Sequence, residues 1–94
     1  MRFKLDFNPL VQLDLAEASV WYERHELGVG LRLEAEAKDM FRHLADEALL
    51  YSVRFFDVRR VNLRRFPYGV FYFLAGDTVV VLAVLRGARD TEEE

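Results

Sequence analysis

Apolar and polar residues alternate at the start of the chain. "RFKLDF" sets Phe3, Leu5 and Phe7 on one side of an extended backbone and Arg2, Lys4 and Asp6 on the other, the period of a half-buried strand. "NP" follows: Asn8 suits a helix cap and Pro9 the first helical turn. The period then lengthens. In "LVQLDLAEASVWYERHEL", Leu10, Leu13, Ala16, Val20 and Leu27 fall near one stripe with Trp21 beside it, which predicts a helix buried along that stripe. Asp14 and Glu17 come early and Arg24 and His25 late, as the helix macrodipole favours. Gly28 and Gly30 interrupt the pattern. "LRLEAEAKDMFRHLADEALL" resumes it with Leu33, Ala37, Met40 or Phe41, and Leu44. Two helices joined by "GVG" make an antiparallel hairpin.

After Ala48 the period returns to two. "VRRVNLRRF" puts Val61 and Leu63 on one face with Arg59 and Arg65, and Arg60, Asn62 and Arg64 on the other. "YGVFYFLA" follows Pro67, and "TVVVLAVLR" follows the turn at Gly76-Asp77; such short connections join antiparallel strands. The last strand is apolar on both faces, with Val79, Val81, Ala83 and Leu85 on one and Val80, Leu82 and Val84 on the other. A strand of that kind is covered on both sides, yet one helical layer covers only one. The expected class is α+β, in the order β-α-α-β-β-β, with a helical hairpin on one face of a mostly antiparallel sheet. Residues 1–90 make one domain and 91–94 an acidic, disordered tail.

With 94 residues, the chain buries only about 60–65% of the surface its unfolded form exposes. It has no cysteine, which removes disulfides, thiol catalysis and cysteine zinc sites and fits a reducing cytoplasm. His25 and His43 are its only histidines, too few for an all-histidine metal site. No apolar run approaches the roughly 18–20 residues of a membrane span, and the start has no signal-peptide core. A cytoplasmic globular protein without metal or cofactor is expected. The net charge of −3 argues against a general nucleic-acid binder. The distribution is uneven, however: Arg54 to Arg65 holds five arginines and one acid, Asp57. His25 and His43 are expected in solvent, Tyr68 and Tyr72 with their hydroxyls at the rim, and Trp21 and Tyr22 in the core and at the helix rim.

"DLAEASVWYE", "GVGLRLEAEA", "VRRVNLRRFPYGVFYF" and "VVVLAVLRGARD" together resemble the RelE/ParE toxins of bacterial type II toxin–antitoxin modules. The resemblance implies a plasmid-stabilisation toxin and a cognate antitoxin whose tail wraps it. It also implies one of two targets, the ribosome with its mRNA for the RelE branch and DNA gyrase for the ParE branch. In RelE-like nucleases an Arg follows the Tyr that opens the penultimate strand; here Tyr68 is followed by Gly69. Arg89 matches a second Arg, Arg86 stands where some relatives keep a His, and the later Tyr or His is missing. Arg89 holds a phosphate but cannot exchange protons near neutral pH. The expected agent is therefore a ParE-like toxin that inhibits gyrase by binding, with no catalytic residue. The partner-binding residues are then Arg59, Arg60, Arg64, Arg65, Arg86, Arg89, Leu82 and Val84. The apolar second face of the sheet takes the antitoxin, or a second copy when the protein is free. The rival readings are a ribosome-dependent mRNA endonuclease and an inactive member that binds only its antitoxin.

Overall fold

A computed structural model describes residues 2–87. Strand β1 (Lys4–Phe7) leads into helix α1 (Pro9–His25) and helix α2 (Val29–Glu47). A single 3-10 turn (Ala48–Leu50) precedes β2 (Val53–Phe55), β3 (Val58–Asn62), β4 (Tyr68–Ala75) and β5 (Thr78–Arg86). The sheet has five strands in the order β1-β5-β4-β3-β2. β1 runs parallel to β5, and the other neighbours are antiparallel. The α+β class and the hairpin-on-sheet layering hold as the sequence predicts. The short edge strand β2 is an addition to the predicted order.

Local chemistry sets the element ends. The Asn8 side chain accepts a hydrogen bond from the Leu10 amide at 2.9 Å, with Pro9 at the first helical position, so one of the orphan donors of α1 is satisfied. Gly28 ends the hairpin turn in the left-handed region, φ +89°, where a side chain is disfavoured. The Glu23 carboxylate then reaches across from α1, accepting from the Gly28 amide at 2.6 Å and the Gly30 amide at 2.9 Å. It caps the start of α2 and ties the two helices together.

The helices meet over small residues. A Cβ on Gly30 would stand 2.3 Å from the Ser19 carbonyl oxygen. This close approach corrects the predicted face of α1. Val11, Ala18 and Ser19 are buried, and Leu15 and Tyr22 pack against the core. Leu10, Leu13, Ala16, Val20 and Leu27 are exposed instead, and Trp21 is about half exposed. The physical reason is that α1 carries apolar residues on two opposed faces. The one with Ala18 and Ser19 admits α2 at backbone distance, whereas the leucine stripe would hold it off. On α2 the predicted positions do go inside: Leu33, Ala37, Phe41 and Leu44 are buried. They pack with Val61, Val70, Tyr72, Val79 and Val81 of the sheet, and each buried aliphatic chain contributes roughly 1.5–3 kcal/mol.

A second correction concerns β5. Tyr72 pairs with Val81 but Phe71 with Ala83, so β5 carries one extra residue there, a β-bulge. The bulge reverses the alternation beyond it. Val84 joins Val79 and Val81 in the core at 3% exposure, opposite the buried Val70. Val80, Leu82, Ala83 and Leu85 share the outer face instead, with Phe71 and Phe73 of β4 beside them. No helix or strand layer among the described residues covers that face.

Candidate interaction surface

The arginine-rich segment divides between the two sides of the sheet. Arg59 turns inward, half-buried, and its Nη1 donates to the Tyr51 carbonyl. Arg60 turns outward. Its Nε donates to Asn62 Oδ1 at 2.9 Å, and its guanidinium carbon sits 5.5 Å from the centre of the Phe71 ring, its cross-strand neighbour, a cation–π contact. Gly69 makes that posture possible, because a Cβ there would meet Arg60 Nε at 2.7 Å. Arg64 and Arg65 lie beyond the strand, in the connection to β4. Their backbone amides donate to Glu36 Oε2 on α2, the Arg65 bond being 3.2 Å, while their side chains are exposed.

Arg86 closes β5 on the helix side, a consequence of the bulge. Its Nη1 donates to the Tyr22 hydroxyl at 3.2 Å, and its guanidinium stands 5.5 Å from the Trp21 ring. A hydrogen bond with Tyr68 and the nearby Tyr22 hold its pKa above the ordinary arginine value. Arg89 lies outside the described residues, as do residues 91–94. Leu82 stands on the outer face, half-buried; Val84 does not reach it. The predicted set is thus split: Arg60 and Leu82 share the outer sheet face, Arg59 supports the chain beneath it, and Arg86 borders α1.

Besides Trp21, which is 48% exposed rather than core, two aromatic assignments change. Tyr72 is fully buried rather than rim-placed, and its hydroxyl donates to the Ala48 carbonyl at 2.7 Å. Burial raises its pKa to about 12, against a smaller opposing effect of Arg59. His43 is half-buried rather than in solvent. Its Nε2 is 2.8 Å from the Tyr51 hydroxyl, within a groove of about 1140 Å³ between α2 and β3 that Arg54, Arg64 and Arg65 also line. The pair is invisible to a reading of periodicity, since a loop brings Tyr51 back over α2. His25, in contrast, is exposed, stacked on Trp21 with ring centres 3.9 Å apart. No cluster of three metal-ligating side chains occurs among the described residues, and no helix there is long and apolar enough to cross a membrane.

A helical hairpin on one face of a five-stranded mixed sheet, with an apolar outer face edged by Arg60, defines a small α+β domain. The family model of the ParE toxin of the type II toxin–antitoxin system parDE matches residues 5–91, and the chain belongs to that family. Among solved structures it is similar to the chromosomal ParDE system of P. aeruginosa, with a TM-score of 0.79, 18% identity, and 90% of this chain and 96% of that one covered. It is also similar to a mutant of the E. coli toxin RelE in complex with an antitoxin RelBc peptide, with a TM-score of 0.56, 21% identity, and 98% of this chain and 90% of that one covered. At those identities the likeness shows the fold. No curated protein matches the chain.

Proposed function

We propose that this ParE-family toxin acts by binding, with DNA gyrase as its target, and that a cognate antitoxin neutralises it by covering the outer face of the sheet. The observation that carries the reading is the composition of that face. Phe71, Phe73, Val80, Leu82 and Leu85 form an apolar surface, and Arg60 lies across one end, stacked on Phe71. An apolar centre with an arginine at its border is what a protein partner recognises, and an isolated monomer rarely exposes one. The RelE relative is itself held by an antitoxin peptide, which supports an antitoxin partner here.

One observation favours the second reading, an mRNA nuclease. The His43–Tyr51 pair lies in a groove that five arginines line together with Glu36 and Asp39, and a histidine beside guanidinium groups able to hold a phosphate is the equipment of general acid–base catalysis. Against it, Gly69 stands where the nuclease branch carries an arginine, and the space beside it is filled by Arg60. The deciding experiment pairs a gyrase supercoiling assay with transcript cleavage on purified ribosomes. Inhibition of supercoiling with intact mRNA is expected. Cleavage abolished by His43→Ala, with supercoiling untouched, would replace gyrase by the ribosome as target.

A further inference from the structure

The groove between α2 and β3 is basic within an acidic chain. Arg32, Arg54, Arg60, Arg64 and Arg65 line it against two acids, Glu36 and Asp39, while the chain as a whole carries a net charge of −3. Both acids already have partners. Glu36 Oε2 accepts from the backbone amides of Arg64 and Arg65, and Asp39 pairs with Arg42. The tie from Glu36 fixes where Arg64 and Arg65 stand. The side chains of Arg32, Arg64 and Arg65 are exposed and make no ion pair or hydrogen bond among the described residues. The cations are spread out. Arg32 lies near the start of α2, and Arg54 follows soon after Tyr51, which contacts His43 further along the same helix; Arg32 and His43 are roughly 16 Å apart along its axis. His43 and Tyr51 themselves are half-buried, their rings edge to face with centres 5.9 Å apart.

We propose that this groove binds the phosphate backbone of an unpaired nucleic-acid strand, without regard to its sequence. A single small anion is served by donors at one point. Donors spread along a groove suit a chain that carries a charge on every unit, and the guanidinium fork matches two phosphate oxygens at once. The rings favour nucleic acid over an acidic peptide, because every base has a face that stacks on an aromatic side chain and a carboxylate side chain has none. A groove of about 1140 Å³ admits one strand and not a duplex. Contacts to phosphate carry no sequence information. Only Arg60 is shared with the outer face of the sheet, so the inference rests neither on where the antitoxin binds nor on gyrase as target. It also needs none of the proton transfers of the nuclease reading.

Fluorescence anisotropy of a labelled oligothymidylate of about twelve nucleotides, titrated with the purified chain, tests the groove. A deoxy strand has no 2′-hydroxyl to attack, so binding is measured apart from cleavage. A dissociation constant of roughly 1–100 µM near physiological salt is expected, the range of sequence-independent binding. Contacts from Arg32, Arg64 and Arg65 to three phosphates give affinity a logarithmic slope in salt of about −2. Arg32→Ala, Arg64→Ala and Arg65→Ala should each weaken binding about fivefold and make that slope shallower by about 0.7. Arg2→Ala, which removes the same charge from the exposed pair with Asp46, should do neither. Oligouridylate should bind as well as oligothymidylate; a preference for one keeps the site and identifies the strand. Polyglutamate of equal charge should displace the probe poorly. The proposal fails if the probe does not bind even at low salt, or if Arg2→Ala matters as much as the groove variants. It fails too if polyglutamate competes as well as the oligonucleotide, which would make the occupant an acidic protein segment.

Discussion

The Nε of Arg60 lies 2.7 Å from the point where a Cβ on Gly69 would stand. The glycine is thus the floor on which the guanidinium rests, and it keeps Arg60 flat against the sheet over Phe71. Gly69→Ala should displace a flexible side chain rather than backbone, so the fold survives and thermal stability changes little, with strand propensity slightly improved. Antitoxin affinity should nonetheless fall, because Arg60 no longer lies on its ring. Calorimetric titration of the antitoxin against wild type and Gly69→Ala checks this; equal affinities would remove Arg60 from the contact.

Leu82 and Val84 should behave oppositely. Val84 is core, so Val84→Glu buries a charge without a partner and should prevent folding. Leu82→Glu places the same charge on the outer face. It should leave the melting curve nearly unchanged while costing on the order of 2 kcal/mol or more of antitoxin binding, the loss expected of a central apolar anchor. Melting curves and titrations of both variants separate the two roles. A Leu82→Glu protein that folds and binds normally would move the antitoxin to another surface.

Gly30→Ala tests the helix junction. Its methyl group meets the Ser19 carbonyl oxygen at 2.3 Å, and backbone cannot rotate away as a side chain does. Overpacking of this kind costs about 1–3 kcal/mol. Glu23→Ala releases the Gly28 and Gly30 amides from their carboxylate and should cost about 1–2 kcal/mol as a lost cap. Urea denaturation of each gives the values. Stability equal to wild type in Gly30→Ala would mean that α1 and α2 slide apart at no cost.

Tyr72 links stability to alkaline pH. Its pKa is about 12 in the fold against an ordinary 10.0. Below pH 10 both states hold the proton and the buried hydroxyl contributes in full. Between roughly 10 and 12 only the unfolded chain releases it, so stability falls by up to about 1.4 kcal/mol per unit of pH from this group. Tyr72→Phe should lose about 1 kcal/mol at neutral pH, where the Ala48 carbonyl loses its donor, and should flatten the decline above pH 10. Denaturation midpoints at pH 8, 10 and 11 show whether the two curves converge.

The sheet and the helical hairpin were legible in the chain because Phe3-Leu5, Leu33-Ala37-Phe41-Leu44 and Val79-Val81 each follow one period and face the core, although Phe7, at the end of β1, is 40% exposed. Two features were not. α1 is apolar on opposite sides, and the choice between them depends on how closely Ser19 lets Gly30 approach, a property of the helix pair and not of either helix. Val84 changed sides because of one bulged residue, which leaves no mark in an all-apolar strand. At the candidate surface, the outward position of Arg60 followed from alternation. The inward engagement of Arg59 with Tyr51, and the meeting of His43 with the same residue, depend on a loop whose path no periodicity records.

The parallel pairing of β1 with β5 also has a meaning in time. Lys4 stands opposite Thr78, and β5 lies between β1 and β4 in the sheet. During synthesis the first strand has no neighbour to pair with until almost all the described chain has emerged. The helical hairpin forms from local contacts long before, but the sheet that carries the outer face closes late, because distant contacts must first overcome the entropy of the loop between them. A domain made only as far as β4 therefore lacks the finished surface, which forms nearly all at once when β5 becomes available to β1 and β4.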